Sequence, residues 1–368
     1  MTSAPRILVM AGGTGGHVFP ALAVAQVLQA RGWLIDWIGT DRGLEGRVVP
    51  AHDFTLHILP VRGLRGKSGV FRLVSLFHLL RSFFVALGLI IRLKPKVVLG
   101  LGGYVAGPAG VAARLLGKPL VIHEQNAVAG TTNRWLAPLA SRVLFGLPGA
   151  FDEGERRRWV GNPVRPEIVG LQHLLHDIPE AFSAVRPLRL LVIGGSLGST
   201  PLNTAVPAAL GQLDPEAAAH LQIRHQCGAQ HLDSTRASYR DCPDGRVEVT
   251  AFIDDMADAY QWADLVVSRS GALTVSEMAI VGRAAILVPL PHAIDDHQAA
   301  NARVLSESGA AQLVQQGSDL PGKLAQLLTG FIAMPGRLSV IAENARKLAL
   351  PEAASTVADV VEEVAGVA

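Results

Sequence analysis

Several runs of this chain place glycines where a buried strand would hand over to a helix. Gly12-Gly13-Thr14-Gly15-Gly16-His17 follows the apolar run Ile7-Leu8-Val9-Met10-Ala11, and Gly194-Gly195-Ser196-Leu197-Gly198-Ser199 follows Leu190-Leu191-Val192-Ile193. Open backbone N–H groups at the positive end of a helix suit a phosphate. Neither run has the dinucleotide spacing G-x-G-x-x-G, nor the Lys and Ser/Thr of a P-loop. In a third run, Ser268-Arg269-Ser270-Gly271-Ala272-Leu273-Thr274-Val275-Ser276-Glu277, the glycine can turn the chain into a helix start. That start would offer amides to a diphosphate, and Glu277 could accept two hydrogen bonds from a ribose diol. The plainer role of Glu277 is an acid that complements the helix dipole. The 289–302 stretch is dense in side chains that bond sugar hydroxyls, Asp296 and Gln298 foremost. His123-Glu124-Gln125-Asn126 ends another apolar run and, with His17, supplies candidates for a general base.

These groups need rigid elements behind them. Residues 7–10, 34–38, 97–99, 120–122 and 142–145 read as strands, with a helix over 21–30. Their Val, Ile and Leu runs do not alternate with polar residues, which suits a parallel sheet buried on both faces. Composition changes over 151–167, which reads as a linker. The pattern then restarts with strands at 188–193, 222–225, 247–250, 265–267 and 285–288. The 353–367 tail is amphipathic and helical in propensity. The reading is therefore two doubly wound α/β domains: 1–162 with a returning helix at about 350–368, and 163–349. Open sheets of this kind bind ligands beyond the carboxyl ends of their strands, where all of these motifs fall.

The 368 residues are 49% apolar and 17% charged, enough for two cores. Cys227 and Cys242, the only cysteines, have no ligand-like spacing and fit a reducing compartment. No signal peptide is read at the start. Net charge is only +2, but it is uneven: no acid stands between Asp53 and Glu124, while that span carries ten Lys and Arg, Arg72 and Arg81 among them. They interleave with Phe and Leu, as on a surface that rests on anionic lipid. The longest apolar run there, 83–91, is nine residues, well short of the ~20 a membrane span needs. Part of this apolar face is equally suited to core packing. Phe among aliphatics does not make stacking platforms, so nucleic acid is not expected as a partner.

Taken in order, the 12–17 loop, Gly102-Gly103-Tyr104 with Gly107-Pro108, 123–126, 161–165, 194–196, 252–256, 268–277 and Gln298 with Asn301-Ala302 resemble the undecaprenyldiphospho-muramoylpentapeptide β-N-acetylglucosaminyltransferase (MurG) family of bacterial cell-wall enzymes. The likeness runs over essentially the whole chain. It implies a GT-B fold, two Rossmann-like domains facing across a cleft, and inverting transfer of N-acetylglucosamine from UDP-GlcNAc to a lipid-linked muramoyl-pentapeptide. By the same resemblance, Ile253 holds the uracil, and Ser196 and the 272–277 helix start (Ala272, Leu273, Thr274, Val275, Ser276, Glu277) take the diphosphate and ribose. Arg165 and Gln298 contact the donor, as do Thr14, Gly15, Gly16 and Asn126. Gly103 and Tyr104 lie on the acceptor side. His17 is the favoured base and Glu124 the second. A helix dipole replaces a metal, so no cofactor is expected. The implied location is peripheral, on the cytoplasmic face of the inner membrane, with other cell-wall synthesis proteins as partners. One departure is His297-Gln298, where the family has two glutamines, in a loop one residue longer. Two other readings remain: a UDP-GlcNAc epimerase on the same fold, which leaves the charge asymmetry unexplained, and a non-catalytic nucleotide-sugar sensor at a membrane.

Overall fold

A computed structural model describes residues 4–41, 43–60, 69–174, 177–195, 197–240, 242, 245–291 and 296–367, with backbone alone for 69–76. The chain divides into two compact units, Met1–Arg165 with Pro351–Ala368, and Pro166–Leu350. The sequence reading put those boundaries after 162 and 349.

In the first unit, seven strands run β1 (Arg6–Met10), β2 (Leu34–Gly39), β3 (Thr55–Ile58), β4 (Val97–Gly100), β5 (Leu120–Glu124), β6 (Arg142–Phe145) and β7 (Arg157–Trp159). All are parallel, in the order β3-β2-β1-β4-β5-β6-β7. Alternate residues serve opposite faces. Ile7 and Val9 share a core with Val18, Val24 and Leu28 of the helix Gly15–Ala30 and with Val357, Ala358 and Val361 of the helix Ala353–Ala365. Leu8 and Met10 pack with Ala86 and Ile90 of the helix Gly69–Leu93 and with Ala109 and Ala113 of the helix Ala106–Leu115. Both faces are thus covered, which is why the strands read as unbroken apolar runs. The C-terminal helix is held further by polar contacts: Arg31 bonds Asp359 at 2.7 Å and Glu362 at 2.6 Å, and Trp33 Nε1 donates to Glu362 at 2.9 Å.

The second unit has β8 (Leu188–Ile193), β9 (Leu221–Gln226), β10 (Val247–Thr250), β11 (Leu265–Ser268), β12 (Ala284–Leu287) and β13 (Gln312–Leu313), in the order β10-β9-β8-β11-β12-β13. Each unit therefore reverses strand order next to its first strand, the switch point at which glycine loops reach a ligand.

Two expectations are corrected. The first helix starts at Gly15, not at residue 21, because Thr14 sits extended as its N-cap and its carbonyl accepts from His17 N and Val18 N at 3.1 and 3.2 Å. Gly15, Gly16 and His17 are therefore the first helical turn. The segment read as a linker carries β7, which pairs with β6 at the sheet edge.

The basic–apolar segment combines both of its readings. Along Gly69–Leu93, Ala86, Leu89 and Ile90 are buried, while Phe77, Leu80, Phe84 and Ile91 stand exposed, Phe77 and Phe84 by about two thirds. Arg62, Arg65 and Lys67 lie outside the described residues, as does the side chain of Arg72. Among the described residues no single helix is long and apolar enough to cross a membrane.

Candidate active site

In the first unit the glycine loops after β1 and β4 interlock. Gly102 and Gly103 have φ of +100° and +82°, a region that strains any residue with a Cβ. A Cβ at Gly103 would lie 2.5 Å from the Gly12 carbonyl oxygen, and one at Gly102 would lie 3.0 Å from Cδ2 of His17. The glycines therefore let the second loop press onto the first and set the His17 ring against it. Burial pushes the His17 pKa below its usual value, against the opposing pull of Glu124, the Gly12 carbonyl and Glu45. A neutral imidazole at neutral pH follows, the form that can accept a proton. Half-exposed Tyr104 and Thr14 line an open cavity of about 1090 Å³ with Gly12, Gly13, His78 and Arg81.

Glu124 is a different kind of group. It is buried, its Oε1 accepts from Asn126 N and Nδ2, both at 3.0 Å, and its Oε2 accepts from Gly130 N at 3.0 Å and Asn133 Nδ2 at 2.8 Å. Four donors fix the orientation of this carboxylate, so Glu124 shapes the 126–130 loop and aims Asn126. His123 is a weak base. Its Nε2–H donates to the Gly161 carbonyl at 2.9 Å, its Nδ1 accepts from Gln125 Nε2 at 3.1 Å, and burial takes its pKa down to about 4. Arg165 stacks on the Phe19 ring, 5.2 Å from guanidinium carbon to centroid, beside Gly15 and the helix start.

A group missing from the sequence reading supports the first loop from behind. Glu45, fully buried, accepts from Gly13 N at 2.9 Å, Thr40 N at 2.8 Å and Thr40 Oγ1 at 2.7 Å. A Cβ at Gly12, Gly39 or Gly43 would collide with this side chain. The expectation of open amides is therefore corrected at Gly13, whose N–H faces Glu45. The amides of Gly15 and Gly16 remain first-turn donors with no acceptor inside the helix.

In the second unit, the glycine loop after β8 and the start of the helix Ala272–Val281 line one pocket of about 410 Å³. Gly194, Gly195, Ser199, Arg269, Gly271, Thr274 and Gln298 form its wall. Gly198, at φ +79°, lies so close to the Cys227 carbonyl that a Cβ would come within 1.8 Å of its oxygen. Arg269, which the sequence reading left without a role, ties three loops together. It bonds Ser199 Oγ at 3.0 Å, the Val288 and Pro289 carbonyls at 3.0 and 3.1 Å, and Gln316 Oε1 at 2.7 Å. Gln298 is fixed on both sides: Oε1 accepts from Leu290 N at 2.9 Å, and its carbonyl accepts from Ser270 Oγ at 2.8 Å. Asp296, the other sugar-loop candidate, is exposed at φ +52° and directly precedes the helix His297–Ser306 without a side-chain capping bond. Leu273, Val275 and Ser276 are helical; Val275 faces the core and Ser276 Oγ bonds the Ala272 carbonyl. Glu277 is 8% exposed, and Oε2 accepts from Tyr260 Oη at 2.7 Å. Ile253 lies outside the pocket wall, in the loop between β10 and the helix Met256–Trp262, which carries Tyr260. Ser196 and residues 292–295 of the sugar loop lie outside the described residues.

The sequence-predicted residues thus form two sets, one per unit. His17, Gly103, Tyr104, Asn126 and Arg165 gather around the first helix start and the loops beside it. Thr274, Glu277 and Gln298 gather around the second. Arg269 and Tyr260 were missed because they make their contacts with segments distant in sequence, and Glu45 because its tie to the first glycine loop spans 32 residues.

Residues 7–145 match the N-terminal domain of glycosyltransferase family 28, and residues 189–364 match its C-terminal domain. The chain is 50% identical over 360 residues to the UDP-N-acetylglucosamine–N-acetylmuramyl-(pentapeptide) pyrophosphoryl-undecaprenol N-acetylglucosamine transferase of Pseudomonas putida (strain GB-1), covering 98% of each. It is 51% identical to the enzyme of the same name from Azotobacter vinelandii (strain DJ), covering 98% of this chain and 99% of that one. The crystal structure of Acinetobacter baumannii MurG matches with a TM-score of 0.80 at 41% identity, over 98% of this chain and 99% of that one.

Proposed function

Because the chain belongs to the MurG family of UDP-N-acetylglucosamine–N-acetylmuramyl-(pentapeptide) pyrophosphoryl-undecaprenol N-acetylglucosamine transferases, with the GT-B fold, we infer that it moves N-acetylglucosamine from UDP-GlcNAc to the C4 hydroxyl of the lipid-linked muramoyl-pentapeptide. The product is the disaccharide lipid of peptidoglycan synthesis, with inversion at the anomeric carbon. The observation that carries this reading for the first unit is His17, a neutral imidazole held against the Gly102-Gly103 loop at the start of a helix.

His17 takes the proton from the C4 hydroxyl as its oxygen attacks the anomeric carbon. The bond from that carbon to the diphosphate breaks, and UDP leaves with the electron pair. The amides at the start of Ala272–Val281 and the loop after β8, with Ser196, stabilise the charge on the departing diphosphate, the task a metal performs elsewhere. Glu277 receives the ribose diol, Ile253 the uracil and Gln298 the sugar. Thr14, Gly15, Gly16, Asn126 and Arg165 also contact the donor, and Gly103 and Tyr104 the acceptor. Exposed Phe77, Leu80, Phe84 and Ile91 beside Arg81 and Arg92 support a peripheral seat on anionic lipid, on the cytoplasmic face.

The test is UDP release from UDP-GlcNAc with and without the lipid-linked acceptor, repeated with a divalent-ion chelator. Release is expected only with acceptor and undiminished by chelation. Release or epimerisation without acceptor would overturn transfer in favour of an epimerase, binding without turnover would favour a sensor, and loss under chelation would overturn the metal-free step.

A further inference from the structure

We propose that Tyr260 is a positioning residue for the donor: it orients the Glu277 carboxylate toward the ribose and couples it to the segment that holds the base. The proposal rests on the assignment of Glu277 to the ribose diol made above.

The contact is short and dry. Tyr260 is 1% exposed and Glu277 8%, and the phenol donates to Oε2 at 2.7 Å. A hydrogen bond to a charged acceptor with little water around it is strong and directional. Fixing Oε2 fixes the plane of the carboxylate, and with it the direction of the oxygen pair that a vicinal diol must meet. A carboxylate turned by rotation about its last bond would meet one hydroxyl and miss the other.

Tyr260 is itself held from the far side. Arg283, 2% exposed, donates from Nε to the Tyr260 carbonyl at 2.9 Å and from Nη1 to the Val281 carbonyl at 3.2 Å. One guanidinium therefore fastens the helix Met256–Trp262, which carries Tyr260, to the end of the helix Ala272–Val281, which carries Glu277. Burial lowers the Arg283 pKa only to about 10, so the clamp stays charged at neutral pH. At the other end, Asp255 caps Met256–Trp262, its Oδ1 accepting from Asp258 N at 2.9 Å. Ile253 stands two residues before that cap. The helix thus follows directly on the loop of Ile253 and carries the phenol near its end, so the residues assigned to uracil and ribose are joined through one short segment.

The experiment compares kcat/KM for UDP-GlcNAc and for its 2′-deoxyuridine counterpart in wild type, Tyr260→Phe and Glu277→Ala, with the lipid-linked acceptor held constant. The ratio of the two values does not depend on how much of a variant is folded. Wild type is expected to prefer the ribonucleotide donor, and Glu277→Ala to lose that preference. Tyr260→Phe should reduce the preference by about tenfold, through KM for the natural donor with kcat within twofold, as fits one lost hydrogen bond to a charged group. Full preference in Tyr260→Phe, alongside its loss in Glu277→Ala, overturns the proposal and leaves the ribose assignment standing. Full preference in Glu277→Ala overturns that assignment instead.

Discussion

A histidine works as a general base only if it is uncharged when the acceptor arrives, and His17 is the proposed base. His17 meets that condition because burial holds its pKa below 6.5 despite two nearby carboxylates. The acid limb of kcat/KM should therefore fall at a pH below the ordinary histidine value. His17→Ala should lower kcat by about 10²–10⁴-fold and remove that limb, while leaving UDP binding nearly unchanged. Glu124→Gln should cost activity through the 126–130 loop but keep the limb where it was. A pH–rate series on the two variants checks this, and a limb lost with Glu124 and kept without His17 would reverse the assignment. At this scale the sequence offered candidates for chemistry, because a histidine closing a glycine run or an acid one turn into a helix carries its own context. It did not reveal the groups that hold them. Tyr260 meets Glu277 across 17 residues, and Glu45 meets Gly13 across 32. No spacing in a single chain marks such pairs, since a fold must form before they exist.

Elements were legible in proportion to their burial. Strands covered on both faces, such as β1, β5 and β11, announce themselves as runs of Val, Ile and Leu. The edge strands β3, β7 and β13 do not: β7 is Arg157-Arg158-Trp159, all exposed, and it exists only because β6 offers it a partner. The first helix was expected to begin late because two glycines at its start cost about 1 kcal/mol each in helix propensity. The extended Thr14 starts the helix all the same, and at Gly15 a Cβ would come within 3.0 Å of the Phe19 ring. The helix Gly69–Leu93 carries its own prediction. Its outer face presents Phe77, Leu80, Phe84 and Ile91, with Arg81 and Arg92 beside them, and burial of its other face keeps it from turning that apolar side inward. Phe84→Ser with Arg92→Glu should weaken binding to vesicles containing anionic lipid by tenfold or more, and added salt should weaken wild-type binding in the same sense. Co-sedimentation measures both, and unchanged binding would remove this face from membrane contact.

For the molecule as a whole, each unit buries a histidine that must stay neutral. His123 in the first and His225 in the second have pKa values lowered by burial to about 4. The unfolded chain, near 6.5, binds more protons between those values, so the stability these sites give is complete above pH 6.5 and lost as pH falls toward 4. By pH 5 the loss is about 2 kcal/mol for each, before most carboxylates titrate. Urea unfolding followed from pH 7 to pH 5 should show a falling midpoint, and His225→Phe should flatten that fall for the second unit if its Asn203 and Tyr239 partners tolerate the loss. The two-unit architecture was legible because the strand–glycine–helix pattern restarts after residue 188. The helix Ala353–Ala365 gives that architecture an order in time. Residues 166–350 are inserted within the first unit, so a ribosome finishes the whole second unit before it makes the strip that packs against the helix Gly15–Ala30 and strands β4 and β6. At about 5–20 residues per second, the nascent first unit waits roughly 10–40 s with that face bare. A message cut short after residue 350 would yield a complete second unit and an unfinished first one, an apolar target for chaperones and proteases.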